Sequence, residues 1–500
     1  MRENNITIRD ALTNGLAPDE RNPRNAPFLE SCLNMVPSEW GCATPPPITP
    51  VADVVQWPFP QVFRGRDHTL LFGHDTLHVH DGTEFQPVTL MNFYYAQEPD
   101  EIVPGGPWQF MDFWGTWMAF NGQCEIVNAA HLPSPRVQSL VKVRSGCNLK
   151  NGRAIFGGFR PGGLNSWHTR LRQCKSIGED CVQMLLSGAE QVDENWVWWS
   201  SIGGGDLTSL FEVSYTGLDP YYELWLRGES GFAPMPWRGP IHAVKALDES
   251  AIVYGEDGVS ALTPRGSAMG VRPIAGLGKQ VGIASRGCVA GDDRAHIFIS
   301  SDRDLWLVSP DLQAQRLGYR RIFENYDPEK TVMSLDTRLR HFWIADGDQC
   351  HVLSKAGLGG PMQRIPTSFY RDAGQLYGVR HAPTRLQIPI EVRSSTFDML
   401  ERADKHVSTV QVGSRGASQV RVRVRGDDKQ TQWTATGPER VAYPRLSGTD
   451  LQLSVRGLVP AASEGDGFER IEIRYNAEDL RHRRGTKGVF EQHRGGEEDQ

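Results

Sequence analysis

The sequence predicts an all-β protein: a six- or seven-bladed β-propeller-like domain followed by a small β-sandwich, with an extended, proline-rich N-terminal arm. Three observations carry this expectation. The 500-residue chain holds 52 Gly and 32 Pro beside 14 Trp, 20 Phe and 12 Tyr, which suits many short strands joined by tight turns around a large core. Asn-Gly, Asp-Gly and similar corners recur near positions 74, 121, 204, 257, 303 and 347. Their spacing is roughly 45–50 residues, apart from one interval of double length, and four-stranded blades repeat at that period. Finally, the stretch from residue 386 alternates apolar and polar positions with period two, so each of its strands buries one face.

Residues 1–50 form the lead-in. Its second part reads SCLNMVPSEWGCATPPPITP, where Pro37, Pro45, Pro46, Pro47 and Pro50 remove amide donors and fix φ. Such a stretch reads as neither helix nor ladder strand but as an extended strap whose partners lie outside itself.

Residues 51–385 carry the repeated pattern. HTLLFGHDTLHVHDGTEFQPV is a meander by its turn chemistry, and the same grammar returns around Asn121-Gly122, Asp257-Gly258, Ser301 to Asp304 and Asp346-Gly347. The double interval fits an unmarked or enlarged unit near 157. A pair of ordinary β-sandwiches would give similar turn signals and is the alternative architecture.

Residues 386–476 contain IEVRSS, HVSTVQVGS, QVRVRVRG, TQWTAT, DLQLSVRG and RIEIRYN, six strands of a β-sandwich. Val420, Val422, Val424, Leu451, Leu453, Val455, Ile471 and Ile473 are expected inside. The tail 477–500 is charged and poor in apolar residues, hence expected to stay mobile unless a neighbour orders it. Helical signals are thin, with a turn or two expected at 133–144 and 398–404.

The formal charge of −7 provides no global field for nucleic acid or an anionic membrane. No apolar run reaches the roughly 18 residues needed to cross a bilayer, and MRENNITIRDALTNG lacks the apolar segment of a secretory signal, so synthesis and folding in the cytosol are expected. The eight cysteines (Cys32, Cys42, Cys124, Cys147, Cys174, Cys181, Cys288, Cys350) form no C-x-x-C pair, which argues against a zinc ribbon and for buried thiols. Cys32 and Cys42 are the pair to test for a bridge.

Four groups of residues have chemical potential. His68, His74, Asp75, His78, His80 and Asp81 are dense in metal-ligating types, although polar rim residues of a strand would look the same. Trp196, Val197, Trp198 and Trp199, like Trp108, Phe110, Phe113, Trp114 and Trp117, suit either a stacking platform for a sugar or base, or a filled core. Arg421, Arg423 and Arg425 alternate with valines and form a basic row that suits DNA phosphates, a solvated edge or a subunit contact. No nucleophile elbow, phosphate-binding loop, zinc-protease helix or dinucleotide turn occurs. The chain is therefore not expected to be an enzyme, and no catalytic, cofactor-binding or metal residue and no cofactor is assigned. A propeller that binds glycans, or hydrolyses them with a carboxylate pair across its funnel, is the alternative.

In its order of parts the chain resembles the tail nozzle or hub proteins of short-tailed bacteriophages. NAPFLESCLNMVPSEWGCATPPPIT looks like their opening segment, with its N-M-x-P phrase and strap; NWVWWSSIGGGDLTSLF, with Ser200, Ser201 and Asp206, is similar to another of their phrases; and FERIEIRYNAEDLRHRRG is like their closing strand and basic tail. The large inserted domains of the longest nozzle proteins are missing, so the chain looks like a compact hub version. The resemblance implies a structural virion protein: a homohexameric ring below the portal and adaptor, touching tail fibre or needle proteins and lining a channel for DNA ejection without sequence-specific binding or membrane insertion. On this reading the strap reaches a neighbouring subunit, and deleting residues 1–50 is expected to leave a folded monomer.

Overall fold

The computed structural model describes residues 3–19, 27–51, 60–65, 69–73, 75–80, 84–88, 91–92, 102–113, 116–123, 125–128, 136–138, 143–159, 194–203, 229–278, 280–363, 365–372, 375–379, 386–397 and 403–478. The class is the predicted one. Among the described residues there are nine sheets of mainly antiparallel strands and two short helices, Asp10–Asn14 and Arg320–Phe323.

Seven small sheets follow one another along the chain. The first comprises Gln61–Arg64, Thr69–Phe72, Leu77–His80 and Phe85–Pro87, and the second Gln109–Phe113, Thr116–Phe120, Glu125–Asn128 and Arg136–Gln138, to which Met91–Asn92 adds in parallel. The third comprises Val143–Asn148, Ala154–Phe159, Trp196–Trp199 and Gly231–Pro234, and the fourth Ile241–Leu247, Ser250–Gly255, Val259–Arg265 and Ala268–Pro273. The fifth comprises Val289–Gly291, His296–Ile299, Leu305–Val308 and Ala314–Arg316, and the sixth Val332–Asp336, His341–Ala345, Cys350–Leu353 and Leu358–Gly359. The seventh has Ser368–Asp372 and Gln375–Val379 from this region, completed in parallel by Ile48–Pro50 of the lead-in.

The corners legible in the sequence turn the second strand of a sheet into the third. Gly122 (φ 87°), Arg303 (φ 68°) and Gly347 (φ 99°) supply the left-handed backbone at three of them. Positions 74 and 204 lie outside the described residues. The enlarged unit expected near 157 is the third sheet, whose second strand ends at Phe159 and whose third begins only at Trp196.

From the second sheet to the seventh, the first strand of each packs beside the first strand of the next, and the seventh meets the first. Phe63 stacks on Phe110 across the first junction, with ring centroids 5.0 Å apart. Polar side chains stitch the middle junctions. Gln109 accepts a hydrogen bond from Ser145, Ser145 Oγ accepts from the Val244 amide at 2.8 Å, and Arg286 donates to the Phe120 carbonyl at 2.7 Å. Between sheets, Phe72 lies 4.8 Å from Trp108 and Phe120 lies 6.2 Å from Phe156. Each such ring contributes roughly 1.5–3 kcal/mol by leaving water. Tyr254 of the fourth sheet and His296 of the fifth form a buried pair, Oη to Nδ1 2.9 Å, while His296 Nε2 donates to the Ala246 carbonyl at 2.8 Å. Because a carbonyl only accepts, that bond sets the neutral tautomer, with Nδ1 accepting from the tyrosine.

The other two sheets face each other as a sandwich. Sheet A runs Val36–Ser38, Gly41–Ala43, Gly467–Glu478, Asp404–Arg415 and Val441–Ala442, with Glu3–Thr7 also on Gly467–Glu478 and Leu446–Gly448 on Asp404–Arg415. Sheet B runs Leu29–Leu33, Gln387–Ser394, Leu451–Pro460, Ser418–Gly426 and Lys429–Gln430, with Thr434–Ala435 also on Ser418–Gly426. Val420, Val422, Val424, Leu451, Leu453, Val455, Ile471 and Ile473 are all buried, as their alternation predicts. Their core continues through Leu12, Leu16, Leu29 and Met35 of the lead-in into Phe298 and Ile344 of the fifth and sixth sheets and Phe323 of the short helix between them.

The lead-in departs from expectation. It forms ladder strands, and those strands pair with their own chain: Glu3 stands opposite Asn476, Cys32 opposite Val392, Cys42 opposite Phe468 and Ile48 opposite Leu376. The prolines are accommodated because Val36–Ser38 and Ile48–Pro50 are edge strands, where a missing amide donor leaves no ladder bond broken. Gly41 sits at φ 141°, and a Cβ there would lie 2.3 Å from the Phe468 carbonyl, so the hairpin can press against sheet A only with glycine. Asn34 holds the strap's middle. Buried at φ 57°, it donates to the Pro389 carbonyl at 2.7 Å and accepts from the Gln363 amide at 2.6 Å.

Two helix expectations are also corrected. Arg136–Gln138 and Val143–Asn148 are strands, because each finds a sheet partner that local propensity does not register. Residues 398–402 lie outside the described residues, and Asp404 already begins a strand. The closing strand runs to Glu478, and the remaining tail lies outside the described residues.

Candidate functional site: an arginine–tryptophan face on the sandwich

The valine–arginine alternation of 420–425 buries its valines against sheet A, so it turns its arginines to solvent. Arg421 and Arg425 are exposed and Arg423 is half-buried. Register extends the row across the sheet: Arg421 stands opposite Arg456, and Gln387–Ser394 adds Arg393 on the far side of Leu451–Pro460. Trp433 precedes the short strand that pairs with Arg421 and Val422, which lays its ring over the sheet. The guanidinium carbons of Arg423 and Arg456 lie 4.6 and 4.1 Å from the ring centroid. Stacking on an indole holds a guanidinium flat while leaving its N–H edges free to bind, and contributes about 0.5–1 kcal/mol at an exposed site.

Carboxylates on this face sit at one end, where Arg393 lies 4.0 Å from Glu30 and 3.8 Å from Glu391. Residues 386–476 carry 13 basic and 12 acidic side chains, against 35 and 42 in residues 1–385. The arginine face is thus a basic surface on an otherwise acidic chain, able to pair with anionic groups at short range. Such pairing is screened by salt over about 8–10 Å.

The opposite side of the sandwich presents a second aromatic–basic feature. Trp40, at the tip of the strap's hairpin, is 72 % exposed. It borders an open groove lined by Arg9, Arg415, Phe468 and Arg470.

The other sequence candidates have different fates. Trp198 and Trp199 are buried, as are Trp108 and Trp117, so these aromatics fill the space between sheets and provide no open platform for a sugar or base. Trp114, His68, His74, Asp81 and Asp206 lie outside the described residues. His78 and His80 share the strand Leu77–His80, and His80 meets Phe85 edge-on at 4.9 Å. Among the described residues, no three histidine, cysteine or acidic side chains converge as a metal site would require. Ser200 is buried and caps a strand, its Oγ accepting from the Ala154 amide at 2.9 Å. The Cys32 and Cys42 sulfurs are 3.5 Å apart, both buried and both thiols. Burial pushes the Cys42 thiol up, with Cys32 adding to the effect. Cys147, Cys288 and Cys350 are buried thiols as expected.

Sequence reasoning found the arginine row but missed Trp433, Arg456 and Trp40. The available cue was a tryptophan in TQWTAT, which stands out in a strand whose other side chains are polar or small.

No protein-family model and no curated protein sequence matches the chain. Among solved structures, apo AztD from Citrobacter koseri is similar at 10 % identity and a TM-score of 0.36, over 67 % of this chain and 83 % of that one. The computationally designed Ika8 protein is similar at 8 % identity and a TM-score of 0.34, over 70 % and 86 %. Hsv2 of Kluyveromyces lactis is similar at 6 % identity and a TM-score of 0.32, over 62 % and 81 %. Similarity at this level carries no information about what the chain does.

Proposed function

We propose that the chain is a structural subunit of a bacteriophage virion tail, a nozzle or hub protein that forms a ring below the portal and adaptor, probes no substrate, and lines the path of the exiting DNA. Its seven small sheets are the blades of a propeller, with Ile48–Pro50 closing the seventh blade. The circuit of first-strand contacts supports the blade reading. The likeness of the lead-in and closing strand to nozzle and hub proteins supports the tail reading.

The observation that carries the assembly is the exposed arginine–tryptophan face on an acidic chain. A basic sandwich set against the acidic remainder of the next copy is a heterologous contact, and such contacts close into rings when the rotation per copy divides a full turn. Since the lead-in is already used within its own chain, this face replaces the strap as the ring contact. The test is negative-stain imaging and mass photometry of the purified chain, alone and with portal and adaptor proteins. Rings are expected, and a variant carrying Arg421→Glu, Arg423→Glu and Arg425→Glu should give single globules with an unchanged circular dichroism spectrum. Single globules from the unmodified chain under every condition, or rings from the triple variant, overturn the proposal.

A further inference from the structure

The first strands of six of the seven small sheets wall a cavity of about 310 Å3, at the small end of the range used by small-molecule sites. Most polar groups on this wall have partners. Ser368 Oγ donates to the Val62 carbonyl at 3.3 Å. Gln109 is held by Ser145, and Asp292 is engaged by the Arg340 guanidinium and by the Arg294 amide at 3.0 Å.

Two wall groups differ. Gln61 is 6 % exposed, and its Oε1 is buried with no donor among the described residues. Lys245 is half-buried on the first strand of the fourth sheet and lines the wall with neither a hydrogen bond nor an ion pair among the described residues. Its surroundings are electropositive. Arg286 lines the same cavity and Arg144 lies close by; burial pushes His242 down to about 4, with these two cations adding to the effect. The nearby acids are already matched, Glu194 by Arg144 at 2.8 Å and Asp292 by Arg340. Burial, with Arg286 against it and only the Cys147 thiol in its favour, pushes Lys245 below the usual lysine range.

A partly desolvated ammonium without a counter-charge is unfavourable, and a buried amide oxygen without a donor is costly. One occupant satisfies both: an anion for Lys245 that also offers a hydroxyl proton to Gln61. We propose that this cavity binds a small oxyanion bearing a hydroxyl, of the hydrogen-phosphate or hydroxycarboxylate class, with Lys245 pairing its charge and Gln61 accepting its O–H. The bound ion cements the junction of the first strands from within. This site is separate from the arginine–tryptophan face and does not depend on ring assembly.

The experiment is isothermal titration of the full chain with hydrogen phosphate and with malate at constant ionic strength, using succinate as the dicarboxylate without a hydroxyl. One ion per chain is expected from at least one of the first two probes, and which one binds identifies the source of the oxyanion. Lys245→Met should weaken binding by about tenfold or more, and Gln61→Leu should reduce the better probe to the level of succinate. Lys429→Met, on the exposed edge of sheet B, should change nothing. Should Lys245→Met fail to fold, reductive methylation of the unmodified chain, read by peptide mass spectrometry, replaces it: the bound anion should protect Lys245 and leave Lys429 reactive. Absence of binding up to about 10 mM, equal binding by Lys245→Met, or equal methylation with and without the anion overturns the proposal.

Discussion

Replacing Asn34 tests the claim that the lead-in is an integral part of the fold. Its side chain bridges the sandwich, through the Pro389 carbonyl, and the segment after the sixth sheet, through the Gln363 amide, while its own amide donates to the Pro361 carbonyl at 3.0 Å. Asn34→Ala removes both side-chain bonds. Each stranded buried group costs about 1–3 kcal/mol, and a left-handed φ of 57° adds about 1 kcal/mol for a residue without the local hydrogen bonding of asparagine. The expected loss is about 3–7 kcal/mol. Asn34→Gly removes the same bonds but relieves the backbone, so it should recover about 1 kcal/mol. The assay is urea unfolding followed by tryptophan fluorescence, with hydrogen exchange of residues 29–43 as the local readout. Alanine within about 0.5 kcal/mol of the unmodified chain, with unchanged exchange in that segment, would refute the reasoning.

Three further outcomes are expected. Deleting residues 1–50 should give an insoluble or molten chain in place of a folded monomer, because four strand partners disappear; a sharp thermal transition in the truncated protein would contradict this. His242, His296 and His351 are each pushed down to about 4, with burial the largest cause. The unfolded chain therefore takes up their protons first, near pH 6.5, and stability should fall as pH drops from about 6.5 to 4, by about 1.4 kcal/mol per pH unit for each histidine. His296→Gln should flatten that slope by one proton, and an unchanged slope in a titration of unfolding free energy would contradict the neutral Tyr254–His296 pair. Cys32 and Cys42 should resist iodoacetamide in the native protein and react once it is unfolded; fast native alkylation, read by mass spectrometry, would show that the strap opens.

What could be read from the sequence was local. Asn121-Gly122 and Asp346-Gly347 marked corners because each holds its glycine at a positive φ that favours glycine wherever it occurs. Val420, Val422 and Val424 gave their burial away because a strand with one wet face must alternate. The lead-in was opaque for the opposite reason: Ile48–Pro50 becomes a strand only because Leu376 and Gly378 lie beside it, more than three hundred positions later. Proline content there reported correctly on missing donors and wrongly on the ladder, since an edge strand needs donors on one side alone. The arginine row was visible, but its partner Trp433 was not, because only the register of Thr434–Ala435 with Arg421 and Val422 brings the ring over the guanidinium groups. Lys245 and Gln61 gave no cue at all. Their significance arises from six strands meeting around one space.

The pairing of Glu3 with Asn476 also sets a timetable. A ribosome adding about 5–20 residues per second needs roughly half a minute to a minute and a half to synthesise what lies between them. Throughout that time the first strand has no mate, and sheet A cannot be finished. A product terminated before that strand consequently lacks the means to complete its core and is exposed to proteases.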